Sequence, residues 1–166
     1  GPIGWNNFRT KALAPTKIRF KNASIIMHYE GIRIDSSIVE AVGKVKVVNS
    51  AQLTLEITNT LSIGFNSSLY MNSRSQLRVG KIITEDSSSR LILDNARLLY
   101  ALTGTYAKIF QTSSPGKIDT GTLSVKGASI IKTVNPGNQL FMPTNALLQF
   151  DPGARLAISP NVRLSF

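Results

Sequence analysis

The sequence predicts an all-β fold, a parallel β-solenoid (β-helix) with octad repeats, and three observations lead there. Leucines recur every eight residues, at Leu53, Leu61, Leu69 and Leu77 and again at Leu140, Leu148, Leu156 and Leu164. A second apolar column follows two residues behind, through Leu55, Ile63, Met71 and Val79 and through Met142, Phe150, Ile158 and Phe166. An even period keeps each pair on one face of an extended chain, because strand side chains alternate with period two. Helical spacing, by contrast, is sustained nowhere over the length a helix needs; residues 37–42 are the best stretch and are short.

Taken in order, Gly1-Pro2 reads as a protease scar. Residues 1–16, with Trp5, Phe8 and Pro15, read as an N-terminal arm or cap ahead of a single β-repeat domain over 17–166. From Lys17 the alternation is plain: Ile18 and Phe20 share one face and three bases the other, and Ile32-Arg33-Ile34 and Val45-Lys46-Val47 repeat it. Residues 50–81 hold the cleanest octads, each a Ser/Thr/Asn-rich corner followed by a Leu-x-apolar strand, with Thr54, Ser62, Tyr70 and Arg78 outward in the middle. The register slips in a polar loop at 85–89 and resumes at Arg90-Leu91-Ile92-Leu93 and Arg97-Leu98-Leu99-Tyr100. Residues 102–120 are the least repetitive and read as an insertion or loop with its own aromatic cluster, bearing Tyr106 and Phe110. Strands return at Leu123-Ser124-Val125 and Ile131-Lys132-Thr133, and the final octads run to Phe166.

An antiparallel β-meander or sandwich shares the period of eight and is the alternative architecture. Tight hairpins want a glycine-bearing pair such as Asn-Gly at the loop. The corners at 58–60, 66–68 and 73–76 have none. In the solenoid, three octads, about 24 residues, make one circuit, so that Leu77 stacks on Leu53 and Leu164 on Leu140. On this periodicity the chain resembles parallel β-helix proteins as a broad class, phage tailspikes and bacterial surface adhesins among them. That resemblance implies an extracellular, cell-surface or virion location and a multivalent, oligomeric mode of binding.

Composition narrows the function. Apolar residues are 42% and charged ones 17%, which opposes disorder. No stretch approaches the ~20 apolar residues of a membrane span. Cysteine is absent, so there is no disulfide framework and no thiolate metal site. The single histidine, His28, cannot build a multi-histidine centre, and neither a Gly-x-Ser-x-Gly elbow nor a phosphate-cradling glycine motif is present. No cofactor is expected. Glu85, Asp86 and Asp94 form the one acid cluster that a polysaccharide hydrolase could use, since such enzymes pair two carboxyls.

The charge is the second informative property. Lys and Arg number 19 against nine acids, a net +10, which attracts an anionic polysaccharide or other anionic surface polymer. Nucleic acid is open as a partner but without a recognition motif. The same charge also serves plain solubility. Arg155 and Arg163 lie eight apart, each before its leucine; Arg90 and Arg97 precede leucines in the same way, and Arg78 and Lys81 extend the set. On adjacent strands these would form a flat basic stripe, with Tyr70, Tyr100 and Tyr106 as stacking surfaces for sugars. The expected role is therefore non-enzymatic: a surface-fibre domain that engages an anionic glycan, with a self-assembling β-helix filament as the competing class.

Overall fold

The computed structural model describes residues 16–164; expectations placed on 1–15, Ser165 and Phe166 lie outside them. In chain order the strands begin with β1 (Thr16–Lys21), β2 (Ser24–Ile25), β3 (Ile32–Ile34), β4 (Ser37–Val42), β5 (Lys44–Val47) and β6 (Thr54–Ile63). They continue with β7 (Ser68–Met71), β8 (Gln76–Thr84), β9 (Arg90–Asp94), β10 (Arg97–Tyr100), β11 (Tyr106–Lys108) and β12 (Gln111–Thr112). The last are β13 (Thr122–Lys126), β14 (Ala128–Thr133), β15 (Gln139–Phe141), β16 (Leu147–Phe150), β17 (Arg155–Ile158) and β18 (Val162–Arg163). The described residues contain no helix. The short stretch with helical spacing is β4, whose burial alternates residue by residue as a strand's does.

The strands form three sheets. A nine-stranded sheet follows the path β1-β4-β6-β8-β10-β14-β17, with β3 on β6 and β12 on β8; a six-stranded sheet runs β16-β13-β9-β7-β5-β2; a three-stranded sheet runs β11-β15-β18. Among the described residues the pairings in all three are parallel. The antiparallel alternative is therefore not the fold. Parallel neighbours cannot be joined by a hairpin, so the chain must leave each sheet and return to it.

Register places like on like. Leu55 pairs with Leu77 and Leu77 with Leu98, while Val45, Leu69, Leu91, Leu123 and Leu148 share a column of the six-stranded sheet. The expected 24-residue step holds between β5 and β7, where Val45 lies beside Leu69, and differs elsewhere: Leu77 lies beside Leu55 rather than Leu53, and Leu140 beside Val162 rather than Leu164. The difference of two is even, so the same face stays inward. Leu61, Leu69, Leu77 and Leu140 are accordingly buried, and Leu53, Leu148, Leu156 and Leu164 pack partly buried against the same core. Phe150 and Ile158 depart from the pattern at 49% and 41% exposed. Their strands, β16 and β17, are the end strands of their sheets, and no described strand covers them.

Small polar residues tie the corners. Asn22 and Asn95 adopt left-handed φ of 46° and 49°, a conformation asparagine tolerates. Their Oδ1 atoms accept the Lys44 N–H at 2.9 Å and the Ala128 N–H at 3.0 Å. Ser67 and Ser89 are buried yet satisfied: Ser67 Oγ accepts from the Gly43 N–H and donates to the Phe65 carbonyl, and Ser89 Oγ accepts from the Glu85 N–H and donates to the Gly64 carbonyl.

The least repetitive stretch, 102–120, holds β11 and β12 rather than one loop. Across it the step lengthens, so that Leu91 pairs with Leu123. The expected aromatic cluster divides: Phe110 enters the core and Tyr106 stays 68% exposed.

Candidate functional site: an aromatic and basic outer face

The three-stranded sheet is built from triplets with an apolar centre. Ala107, Leu140 and Val162 align across β11, β15 and β18 and pack toward the core. Alternation then sends their neighbours outward. Tyr106 aligns with Gln139, and Lys108 with Phe141 and Arg163. The Tyr106 and Phe141 rings meet edge to face, with centroids 6.3 Å apart and planes at 74°. Such a T-shaped pair holds both rings in place.

Tyr106 borders two shallow depressions. One is lined with Thr105, Gly137, Gln139 and Phe141; the other includes Thr58, Asn59, Gly80, Lys81 and Gln111. Gly80 is there because nothing larger fits: a Cβ would come within 2.7 Å of the Thr58 carbonyl oxygen and 2.8 Å of the Asn59 one. Lys108 Nζ binds Asp119 Oδ2 at 2.7 Å, which raises its pKa. Partial burial pushes the Asp119 carboxyl up, but hydrogen bonds from Lys108 and the Thr112 N–H outweigh it and leave the group below its ordinary value. Asp119 thus pins β11 to the loop after β12. Arg163 and Lys81 are exposed, with no ion pair among the described residues. The exposed Tyr106 ring with the half-buried Phe141 ring, an amide and a guanidinium on one face supply a stacking surface, a hydroxyl partner and a fork for a carboxylate or sulfate.

Sequence-predicted residues fall on several faces. Arg163 and Lys81 lie on this one. Arg90 sits in the six-stranded sheet between Ser68 and Thr122, Arg97 beside Gln76 and Arg155 beside Ala128 in the nine-stranded sheet. Arg78 is taken up by Glu56 at 3.4 Å, and Glu56 also meets Arg33 at 3.6 Å, an alternating row rather than a basic one. The expected single stripe is absent because a step of eight carries the chain on to a different side. Steps of about twenty-two or longer return it to the same column.

Among the tyrosines, Tyr100 is corrected outright: it is fully buried. Tyr70 is half-buried, its hydroxyl donating to the Asp94 carboxylate, and its pKa is raised first by burial and then by that bond. Phe141, Gln139 and Lys108 escaped the sequence reading. Their signal is weak: three triplets with an apolar centre, at 106–108, 139–141 and 161–163, which are not multiples of eight apart.

The acid cluster does not converge along the chain. Asp86 caps the loop before β9, accepting the Ser88 N–H at 2.7 Å and the Ser88 hydroxyl, while Asp94 ends that strand. From Arg90 to Asp94 alone the strand rises about 13 Å. Asp86 is also held below its usual value by the Ser88 hydroxyl and N–H, whereas a glycosidase's general acid needs a raised one. Among the described residues no group of three or more metal-ligating side chains occurs, and no helix is long and apolar enough to cross a membrane. Comparison with protein-family models, with curated proteins and with solved structures yields no match to this chain.

Proposed function

We propose that the chain is a parallel β-solenoid segment of an extracellular, cell-surface or virion fibre, of the tail-fibre or adhesin type, which binds an anionic polysaccharide and performs no chemistry on it. The solenoid reading is supported by parallel pairing at steps near twenty-two and by inward columns of like aliphatic residues. The binding reading is carried by one observation: the outer face where Tyr106 and Phe141 meet beside Gln139, Lys108 and Arg163. Stacking and charge act together there, as an acidic sugar requires. A hydrolase is less well supported, since Asp86 and Asp94 lie at opposite ends of one segment and neither of the two depressions beside Tyr106 is lined by an acid among the described residues.

Heparin retention under rising salt tests this. Wild-type protein should be retained at low salt and elute as exposed charges are screened over about 8–10 Å. Arg163→Gln should elute earlier, and Tyr106→Ala should weaken retention without changing its salt slope. No retention at low salt, or retention untouched by both substitutions, refutes the reading.

A second reading, the self-assembling filament, draws on Leu147, Phe150 and Ile158, which are 47%, 49% and 41% exposed on end strands. Unpaired strand edges with apolar neighbours invite association. Sedimentation velocity at two concentrations tests it: open assembly gives boundaries that keep growing with concentration, and a monomer at both excludes it.

A further inference from the structure

We infer that a second site, a groove holding Arg74 and Arg97, binds the oxyanion of a carboxylated or sulfated sugar, independently of the aromatic face. Gln52, Thr54, Arg74, Gln76 and Arg97 line this groove. Thr54, Gln76 and Arg97 are successive members of one outward column of the nine-stranded sheet. Arg74 precedes β8 by two residues, and its N–H donates to the Asn95 carbonyl at 2.7 Å, which sets it diagonally across from Arg97. One strand spacing and two residues of rise separate their Cα atoms by about 8 Å. Two arginine side chains at that separation reach a common anion.

Both guanidiniums lack an ion pair among the described residues, whereas the nearby Arg33 and Arg78 share Glu56. Asp94 lies on the other side of Arg74, where it is engaged by the Tyr70 hydroxyl and by Asn95 Nδ2. Two like charges therefore face one groove, and among the described residues no acid lines it.

The backbone supplies an independent observation. Arg74 has φ of 60°, directly after Ser73 at 59°. The preceding corner places Gln52 (φ 61°) in the same left-handed region, and the corners that follow place Asn95 (49°), Gly127 (60°) and Gly153 (76°) there, the last three being residue types that accept it. Arginine does not favour it, and among the described residues no hydrogen bond of the Arg74 side chain supports the turn. Gln52 and Arg74, which local folding does not favour in these corners, both line the groove.

Paired guanidinium forks match a carboxylate or sulfate, and the amides of Gln52 and Gln76 with the Thr54 hydroxyl match sugar hydroxyls. A nucleic-acid backbone fits less well, because it needs bases along a face. Here the next outward column carries Arg33, Glu56 and Arg78 in alternation.

The test is calorimetric titration with a heparin-derived tetrasaccharide, an oligogalacturonate of equal length, a neutral oligosaccharide and a short single-stranded DNA. The first two distinguish sulfate from carboxylate as the source of the oxyanion. Arg74→Asn and Arg97→Gln should each weaken acidic-saccharide binding about tenfold or more, as expected for charge-assisted hydrogen bonds. The double variant should lose little beyond either single one, because both arms hold the same anion. Arg74→Asn should melt no lower than wild type, since asparagine suits the left-handed turn, and Arg97→Gln carries the test from a regular strand position. Acidic-saccharide binding unchanged in both variants overturns the site, as does tighter binding of DNA or of the neutral sugar. Loss in Tyr106→Ala with no loss in either arginine variant also overturns it, while leaving the aromatic face intact.

Discussion

Replacing Tyr100 with phenylalanine removes one oxygen atom from the centre of the molecule. That hydroxyl accepts the Ile82 N–H at 3.0 Å and donates to the Ile109 carbonyl at 3.0 Å, and the ring around it is fully buried. It therefore joins the middle of β8 to the segment between β11 and β12, two stretches that do not pair there as strands. Phenylalanine fills the same space but leaves a buried N–H and a buried carbonyl without their partner. Each such group costs about 1–3 kcal/mol. The carbonyl has a second lone pair and suffers less, so the pair should total about 2–4 kcal/mol. Urea unfolding followed by far-UV circular dichroism measures it, with the m-value expected to stay constant because the exposed surface is the same. Alkaline pH gives a second readout. Burial lifts the Tyr100 pKa far above its ordinary value, partly offset by the Ile82 N–H. In the unfolded chain the phenol ionises near 10, in the folded chain later, so its contribution is whole below that pH and declines above it. The decline approaches about 1.4 kcal/mol per pH unit and is missing from Tyr100→Phe. A variant within about 0.5 kcal/mol of wild type at neutral pH, or one with the same alkaline slope, refutes the bridging role.

Other outcomes follow from the same structure. Leu77→Ala, fully buried between Leu55 and Leu98, should cost about 2–5 kcal/mol by urea unfolding. Asn95→Ala should lose both its left-handed tolerance and the bond to the Ala128 N–H, about 1–3 kcal/mol, while Asn95→Gly should lose less because it keeps the backbone freedom. Asp119→Asn should raise amide hydrogen exchange at Thr112 and its neighbours. Because the folded Asp119 pKa is depressed, the difference from wild type should be present above the ordinary carboxylate pKa and fade as pH falls through the lowered one.

The interior was readable from the chain because hydrophobic alternation is a local signal. Leu61, Leu69 and Leu77 declare their face by period two alone, whatever strand they later meet. Register was less readable. The step between paired strands depends on how many residues each corner absorbs, and corners such as Asn95 or Ser73-Arg74 are set by left-handed backbone that alternation does not reveal. Tyr100 shows the limit most clearly: as an aromatic residue at a strand end it resembles a surface stacker, and only the arrival of Ile109 turns its hydroxyl into an internal bridge. The outer face was half legible. Arg163 and Lys81 stood out by charge, but Phe141 and Gln139 acquire meaning only beside Tyr106, through a pairing across more than thirty positions.

That lengthened step shows what the architecture tolerates. Leu69 and Leu91 pair across twenty-two positions, and Leu91 and Leu123 across thirty-two, with no break in the column. Closure entropy grows only as the logarithm of loop length, so the additional ten residues cost about 0.3 kcal/mol. Stability hardly registers the added chain. An architecture of this kind can lengthen a connection, furnish it with short strands of its own, and try new outward side chains there while the aliphatic columns on either side continue undisturbed. In this molecule the added length lies in the stretch that begins with Tyr106 and ends before Thr122, which carries two short strands and presents Tyr106 outward.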